Sequence, residues 1–220
     1  MLLASLLPQI ALYSLPLLPQ TCYNIPMKER VKERGIQIIS IVGMSGSGKS
    51  MAVEYLTKNG VPKVHFGNMI YQEMAKRGIE RTPDGRSEKE FREKIRAEEG
   101  KDWVVRQAIA EIKDLIAAGQ KRIVLDGVYS WTEYKILKHE FPTCLTFIAV
   151  VVDKKLRYDR VAIRPNRPFD ITAIRERDRS EIENLEKGGP IAAADYYILN
   201  NDSVEDMESR LAEILKKEEF

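Results

Sequence analysis

Gly43-Met44-Ser45-Gly46-Ser47-Gly48-Lys49-Ser50 follows directly on the apolar run Ile36–Val42, and these two segments together decide the fold. The run is rich in β-branched residues and reads as a strand. The octapeptide fits glycine, any four residues, then Gly-Lys-Ser, with a helix expected to begin at the lysine. Glycines there tolerate positive φ and let backbone N–H groups approach a phosphate chain closely. Lys49 is then expected at the β/γ-phosphates of a nucleotide and the Ser50 hydroxyl on Mg²⁺. The plainer alternative, a flexible Gly/Ser turn, leaves the filled motif and the strand before it unexplained.

Beyond the loop the chain alternates. Lys49–Asn59 reads as a helix stopped by Gly60, and Val61–Phe66 as a short strand with Pro62 near its start. Helical patterns follow at Asn68–Arg77, Glu88–Glu99 and Lys101–Ala118, then a strand at Arg122–Asp126 and a helix at Trp131–His139. Cys144–Val152 is the most continuous apolar run, as expected of a central strand buried on both faces. Helices at Lys154–Arg164 and Ile171–Lys187, a strand at Tyr196–Leu199 and a helix at Val204–Lys217 complete the pattern. Such alternation predicts an α/β fold: a parallel sheet covered by helices, with ligands at the carboxyl ends of the strands.

The chain has 220 residues, enough for one such domain with an insertion, and a net charge of +2 that gives no sign of a nucleic-acid-coating surface. Cys22 and Cys144 are too few for a disulfide scaffold or zinc site, so a reducing, cytoplasmic setting is expected. Residues 1–26 carry no charge and are broken by Pro8, Pro16, Pro19 and Pro26. The prolines argue against a membrane helix, and no signal-peptide pattern is evident. We expect residues 1–34 to be an extension outside the fold, and the functional domain to span 35–220.

Asp126 ends the strand Ile123-Val124-Leu125-Asp126, placed either to support Mg²⁺ or to cap the turn before Gly127. Seven arginines fall between 157 and 179: Arg157, Arg160, Arg164, Arg167, Arg175, Arg177 and Arg179. Arg160 with Arg164, and Arg175 with Arg179, share helical faces, and Pro165 and Pro168 bracket the turn between. A hairpin of this kind over 157–180 can close as a lid and stabilise charge on a transferring phosphoryl group. It can also be a solvated basic face paired with nearby carboxylates. The segment 68–119 is too long for one crossover helix and is expected to form an acceptor lobe. In it Arg92 and Arg96 either grip an anion or pair with Glu88 and Glu99. Trp103 reads as core, and His65 and His139 as isolated.

The phosphate loop, Gly67-Asn68, Asp126-Gly127, the arginine-rich hairpin and the tail Ala193-Ala194-Asp195-Tyr196-Tyr197-Ile198-Leu199-Asn200-Asn201 together resemble P-loop kinases of small molecules. The tail is similar to that of dephospho-CoA kinases. From about Ile38 to Leu215, including Glu99-Gly100-Lys101-Asp102 and Glu176-Arg177-Asp178-Arg179, the chain also resembles archaeal-type predicted nucleotide kinases related to adenylate kinase. The resemblance implies a three-layer α/β/α P-loop NTPase fold with strand order 2-3-1-4-5. It also implies ATP and Mg²⁺ as ligands, with nucleotide contacts from Gly43, Met44, Ser45, Gly46, Ser47, Gly48, Lys49, Ser50, Met51, Arg164 and Asn201. Metal ligation falls to Ser50 and Asp126, and catalysis to Lys49, Asp126, Arg160 and Arg164.

Three positions depart from the pattern: Asn68 stands where an aspartate is expected, which leaves Asp126 as the candidate base, and Tyr71 and Tyr129 stand where arginines are expected to hold an acceptor phosphate. A phenol donates one hydrogen bond but supplies no charge and no fork. The expectation is therefore an ATP-dependent phosphotransferase acting on a hydroxyl of a small molecule, as dephospho-CoA kinase does. The alternatives are a nucleoside-monophosphate kinase and a nucleotide-binding regulatory ATPase. No nucleic-acid or membrane partner is expected, and the chain is expected to be a monomer or small homo-oligomer.

Overall fold

Strand β1 (Gln37–Val42) is apolar on both faces, with Ile38, Ile39, Ile41 and Val42 at most 1% exposed, so it can only occupy the middle of a covered sheet. The computed structural model describes residues 35–82, 85–164 and 170–220. The expected N-terminal extension over 1–34, Arg167 and the prolines Pro165 and Pro168 lie outside them. After β1 come α1 (Lys49–Lys58), β2 (Lys63–His65), α2 (Phe66–Lys76), α3 (Arg86–Glu99), α4 (Trp103–Ala117) and β3 (Arg122–Asp126). Then follow α5 (Trp131–Glu140), β4 (Leu145–Val151), α6 (Lys154–Ile163), α7 (Ile171–Glu183), α8 (Gly188–Ala192), β5 (Tyr196–Leu199) and α9 (Val204–Lys217).

The strands form one five-stranded parallel sheet of order β2-β3-β1-β4-β5, as expected from the sequence. Alternation along β1 divides the core. Ile38 and Val42 face the side packed by α2, α3, α4 and α5, while Ile39 and Ile41 face α1 and α9. Trp103 packs against the first of these clusters. No helix among the described residues is long and apolar enough to cross a membrane.

Two elements differ from their expected form. The helix expected over 171–187 stops at Glu183, because Glu186 takes a positive φ of 57° and Lys187 turns back to donate its backbone N–H to the Glu181 carbonyl at 3.0 Å. A short helix, α8, then forms over Gly-Gly-Pro-Ile-Ala, a run with poor intrinsic propensity. Tertiary packing overrides that propensity: a Cβ at Gly189 would lie 2.9 Å from Trp131 Cε3, so the glycine admits the indole.

The tail motif acts in the fold. The Asp195 carboxylate accepts from the Phe147 backbone N–H at 2.7 Å and from Lys138 Nζ at 2.8 Å, and the Asp195 N–H donates to the Phe147 carbonyl at 2.9 Å. These bonds lock the start of β5 onto β4. Asp195→Ala is expected to leave the Phe147 N–H short of its partner and cost about 1–3 kcal/mol in urea denaturation. Nucleotide affinity should be unchanged; a loss of affinity without a loss of stability would assign the motif to the ligand instead.

Candidate active site

The carboxyl ends of β1, β3 and β2 lie together, since Ile41 and His65 are both in register with Asp126. β1 runs into the phosphate loop. Gly46 takes φ 83°, and a Cβ there would lie 2.3 Å from Val161 Cγ2 on α6; Gly48 takes φ 98°, and a Cβ there would lie 2.2 Å from Asn200 Nδ2. Both glycines are thus demanded twice, by backbone angle and by close approach. No side chain caps α1 and no acidic residue lies in its first turn, which leaves the helix N-terminus suited to an anion.

Residues outside the motif hold the loop's shape. Buried Asn200 donates from Nδ2 to the Ser47 carbonyl at 2.9 Å. Buried Arg157 donates to the Ser45 carbonyl at 2.9 Å and forks onto the Asp178 carboxylate, whose Oδ2 also accepts from the Tyr158 hydroxyl. Arg157 therefore ties the loop to α6 and α7.

Lys49 donates from Nζ to the Met44 carbonyl at 3.1 Å. Its pKa is lowered to about 7, chiefly by the dense protein around the ammonium and then by Lys187, against the pull of Glu181 and Asp126. Lys49 lines a cavity of about 110 Å³ with Ser45, Arg92, Tyr129, Arg177, Glu181, Leu185 and Lys187. Lys187 is 3% exposed and donates to Glu181 at 2.8 Å, and Arg177 Nε donates to the other Glu181 oxygen at 3.1 Å. Burial alone would raise Glu181; Lys187, Arg177 and Lys49 outweigh it and hold the carboxyl below its ordinary range. Burial, and then the charge of Asp126, push the Tyr129 phenol up to about 12, so it stays a donor.

Asp126 has a neighbour that sequence reasoning missed. His65 Nε2 lies 3.7 Å from Asp126 Oδ2, and His65 Nδ1 lies 3.0 Å from Asn68 Oδ1. A Cβ at Gly67 would be 2.6 Å from His65 Cε1, so the glycine gives the ring its place. His65 is therefore not isolated. The strand order 2-3-1-4-5 was the available signal, because it sets the end of β2 beside the end of β3.

The arginine cluster divides. Arg160 donates to the carbonyls of Asn200 at 2.7 Å and Asp202 at 3.4 Å, which places it at the β5–α9 loop rather than at the phosphates. The Asn201 Oδ1 accepts from the Asp153 N–H at 3.0 Å, so that side chain also braces the loop. Arg164 closes α6 and is half-buried. Arg175 and Arg179 are exposed, and Arg177, between them, lines the cavity. Ser50 and Met51 lie exposed at the start of α1, and His139 is exposed on α5. Arg92 lines the cavity with Lys49, and neither Arg92 nor Arg96 pairs with Glu88 or Glu99; buried Glu88 instead accepts from Arg81 at 3.2 Å.

The oxygen donors Ser50 and Asp126 suit Mg²⁺, and among the described residues no three His, Cys, Asp or Glu gather as a protein-only metal cage. The uncapped α1 and the two left-handed glycines fit a triphosphate. Comparison with known proteins agrees. A family profile described as an AAA domain matches residues 39–185. A UPF0200 protein of Thermococcus onnurineus is 34% identical over 183 residues, covering 82% of this chain and 97% of that one. A UPF0200 protein of Sulfurisphaera tokodaii is 32% identical over 185 residues, covering 83% and 97%. Among solved structures, TT1252 from Thermus thermophilus superposes with TM-score 0.57 at 16% identity, covering 84% of this chain and 98% of its own. A shikimate kinase from Bacteroides thetaiotaomicron superposes with TM-score 0.51 at 14% identity, covering 82% and 98%. The likeness to these structures is one of fold.

Because Lys49 sits near pH 7 when it faces only protein, a bound triphosphate should restore its proton. Calorimetry of Mg·ATP in buffers of different ionisation enthalpy is expected to show proton uptake that grows from pH 6 to pH 8, with affinity falling as pH passes above about 7. Lys49→Met should abolish the uptake. Uptake that survives in that variant would assign the proton to another group.

Proposed function

We propose that this chain, which belongs to the AAA domain family and is one of the UPF0200 proteins, is a P-loop kinase that transfers the γ-phosphoryl group of ATP to a hydroxyl of a small molecule. The observation that carries this reading is that the donor-side Lys49 and Arg92 of α3 line one cavity. A nucleotide switch needs no chamber that joins its phosphate lysine to an inserted lobe; a phosphotransferase does.

In the proposed reaction the loop amides and Lys49 hold the β/γ-phosphates and neutralise charge as it develops. Mg²⁺, held by Ser50 and only through water by Asp126, would add electrostatic stabilisation at the phosphoryl oxygens and leave the Asp126 carboxylate free to act as base. The acceptor O–H gives its proton to Asp126 as the oxygen bonds the γ-phosphorus, and the bond from that phosphorus to the ADP oxygen breaks. His65, its Nδ1–H set on the Asn68 Oδ1, would present an unprotonated Nε2 beside Asp126 as the next station for the proton. Arg177 and Lys187 close the cavity against water, which would otherwise take the phosphoryl group. Arg160 and Asn201 act one step back, by holding the Asn200–Ser203 loop that we assign to the base.

Dephospho-CoA is the acceptor we place first, on the likeness of the tail. Because Asp195 anchors β5, that likeness bears on the fold more directly than on the acceptor. The arginines at the cavity favour a second reading, a nucleoside monophosphate whose phosphate they hold. With only two cysteines, Cys22 and Cys144, too few for a disulfide scaffold, a reducing, cytoplasmic setting is part of the same proposal.

A panel of dephospho-CoA, AMP, CMP, UMP, GMP and no acceptor, each with Mg·ATP, is expected to show ADP release that depends on one acceptor. Equal release in every well would leave a regulatory ATPase. Lys49→Ala should lower kcat by about 10²–10³-fold. It should not lower stability, because folding holds this lysine below its free pKa: the burden is full below pH 7 and fades toward 10.5. His65→Gln should cost kcat on the order of tenfold with the KM for ATP unchanged. A KM effect alone would make His65 merely structural.

A further inference from the structure

We infer that the acceptor is an anion, bearing a phosphate, diphosphate or carboxylate group, and that Arg92 and Arg96 on α3 hold that group. The inference rests on the phosphotransfer reading for the word acceptor, and on α3 alone for the site. Arg92 and Arg96 lie one turn apart beside the buried Phe91 and Ile95, so packing of α3 against the core sets both stems. Both are half-buried, and neither makes a hydrogen bond or ion pair among the described residues.

Glu93 lines the same space but is exposed, and the other nearby carboxylates are engaged elsewhere. Glu88 accepts from Arg81, and Glu98 accepts from Arg77. Glu133, the carboxylate that Arg96 acts on electrostatically, is buried and already accepts from the Tyr129 and Ser130 backbone N–H groups. Two like charges at i and i+4 weaken a helix, and a guanidinium partly removed from water without an acceptor is unfavourable. Beyond the pull of Arg96 on Glu133, the fold gains little from the pair.

The surrounding space supplies the reason for keeping them. Arg92 and Arg96 line a cavity of about 170 Å³ between α3 and the end of α7, and a smaller one floored by Gly67, Gly127 and Tyr129. Arg92 also lines the 110 Å³ cavity that contains Lys49. One arginine is thus common to all three spaces. Arg92 borders both the space it shares with Arg96 and the space it shares with Lys49, so an anion on the Arg92–Arg96 pair would lie next to the Lys49 cavity. Planar guanidiniums four residues apart suit phosphate or carboxylate oxygens, which take paired N–H donors.

The test uses the full chain saturated with Mg·ADP, so that the phosphate loop is filled, and follows the arginine Nε–Hε resonances by NMR. Inorganic phosphate and, separately, acetate are titrated. Saturable shifts of the Arg92 and Arg96 signals are expected, and whichever anion binds more tightly identifies the acceptor's charged group. Arg92→Gln and Arg96→Gln should each weaken that anion about tenfold. Arg92→Lys, which keeps charge but loses the fork, should also weaken it. Shifts that never saturate, or that appear equally at Arg106, which is paired with Asp102, would overturn the inference as mere screening. Failure of Mg·ADP to bind would sink the phosphotransfer reading alone; the anion titration then proceeds on the nucleotide-free chain, with the glutamine variants separating α3 from the loop.

Discussion

The forked pairing of Arg157 with Asp178, and the third bond from that guanidinium to the Ser45 carbonyl, sets the geometry of everything around the nucleotide loop. Both partners are buried, so each has given up water and depends on the other; removing one side of such a pair typically costs about 3–5 kcal/mol. The pair joins three segments distant in sequence: the loop, α6 and α7. Once α6 is held there, Val161 and the Arg157 backbone crowd Gly46 so closely that only glycine fits. The residue that looked like one more guanidinium of a lid is therefore a structural pin, and α6 and α7 start from a fixed base.

A fixed base allows the site to be electrostatically uncomfortable. Lys49, Lys187, Arg177 and Arg92 surround a single carboxylate, Glu181, in one small cavity. Burial and mutual repulsion pull Lys49 down to about 7 and lower Lys187 despite its bond to Glu181. Structure alone does not reward this arrangement. A polyanion does, because each negative oxygen entering the cavity relieves several repulsions at once. Strain of this kind gathers where function needs a site already oriented before the ligand arrives.

Much of the fold was legible because its signals are local. β3, β5 and α9 begin and end where periodicity and turn residues place them, and the strand order follows from the motif's family. What was hidden depends on which strands and helices meet. His65 gains its meaning from lying in register with Asp126, more than sixty residues on. Arg157, Arg160 and Arg177 are indistinguishable in a list of arginines, and only the turn of each helix decides whether a guanidinium meets Asp178, a loop carbonyl or the cavity. α8 was invisible for the opposite reason: its glycines and proline speak against a helix, and the close approach of the Trp131 ring explains Gly189.

The two tyrosines show most clearly how composition can mislead about charge. At the positions of Tyr71 and Tyr129 the family pattern expects a cation, and a phenol reads as its loss. In the folded chain the Arg81 guanidinium lies 3.9 Å from the centre of the Tyr71 ring, and Lys187 Nζ lies 4.6 Å from that of Tyr129. Each ring seats a cation on its negative face. At Tyr129 that cation belongs to the cavity itself, and its phenol remains available to donate. The positive charge has moved from the expected positions to α3 and to the turn after α7. The cavity beside Lys49 is therefore cationic by a different set of residues, which is why a reading confined to the motif positions finds it neutral.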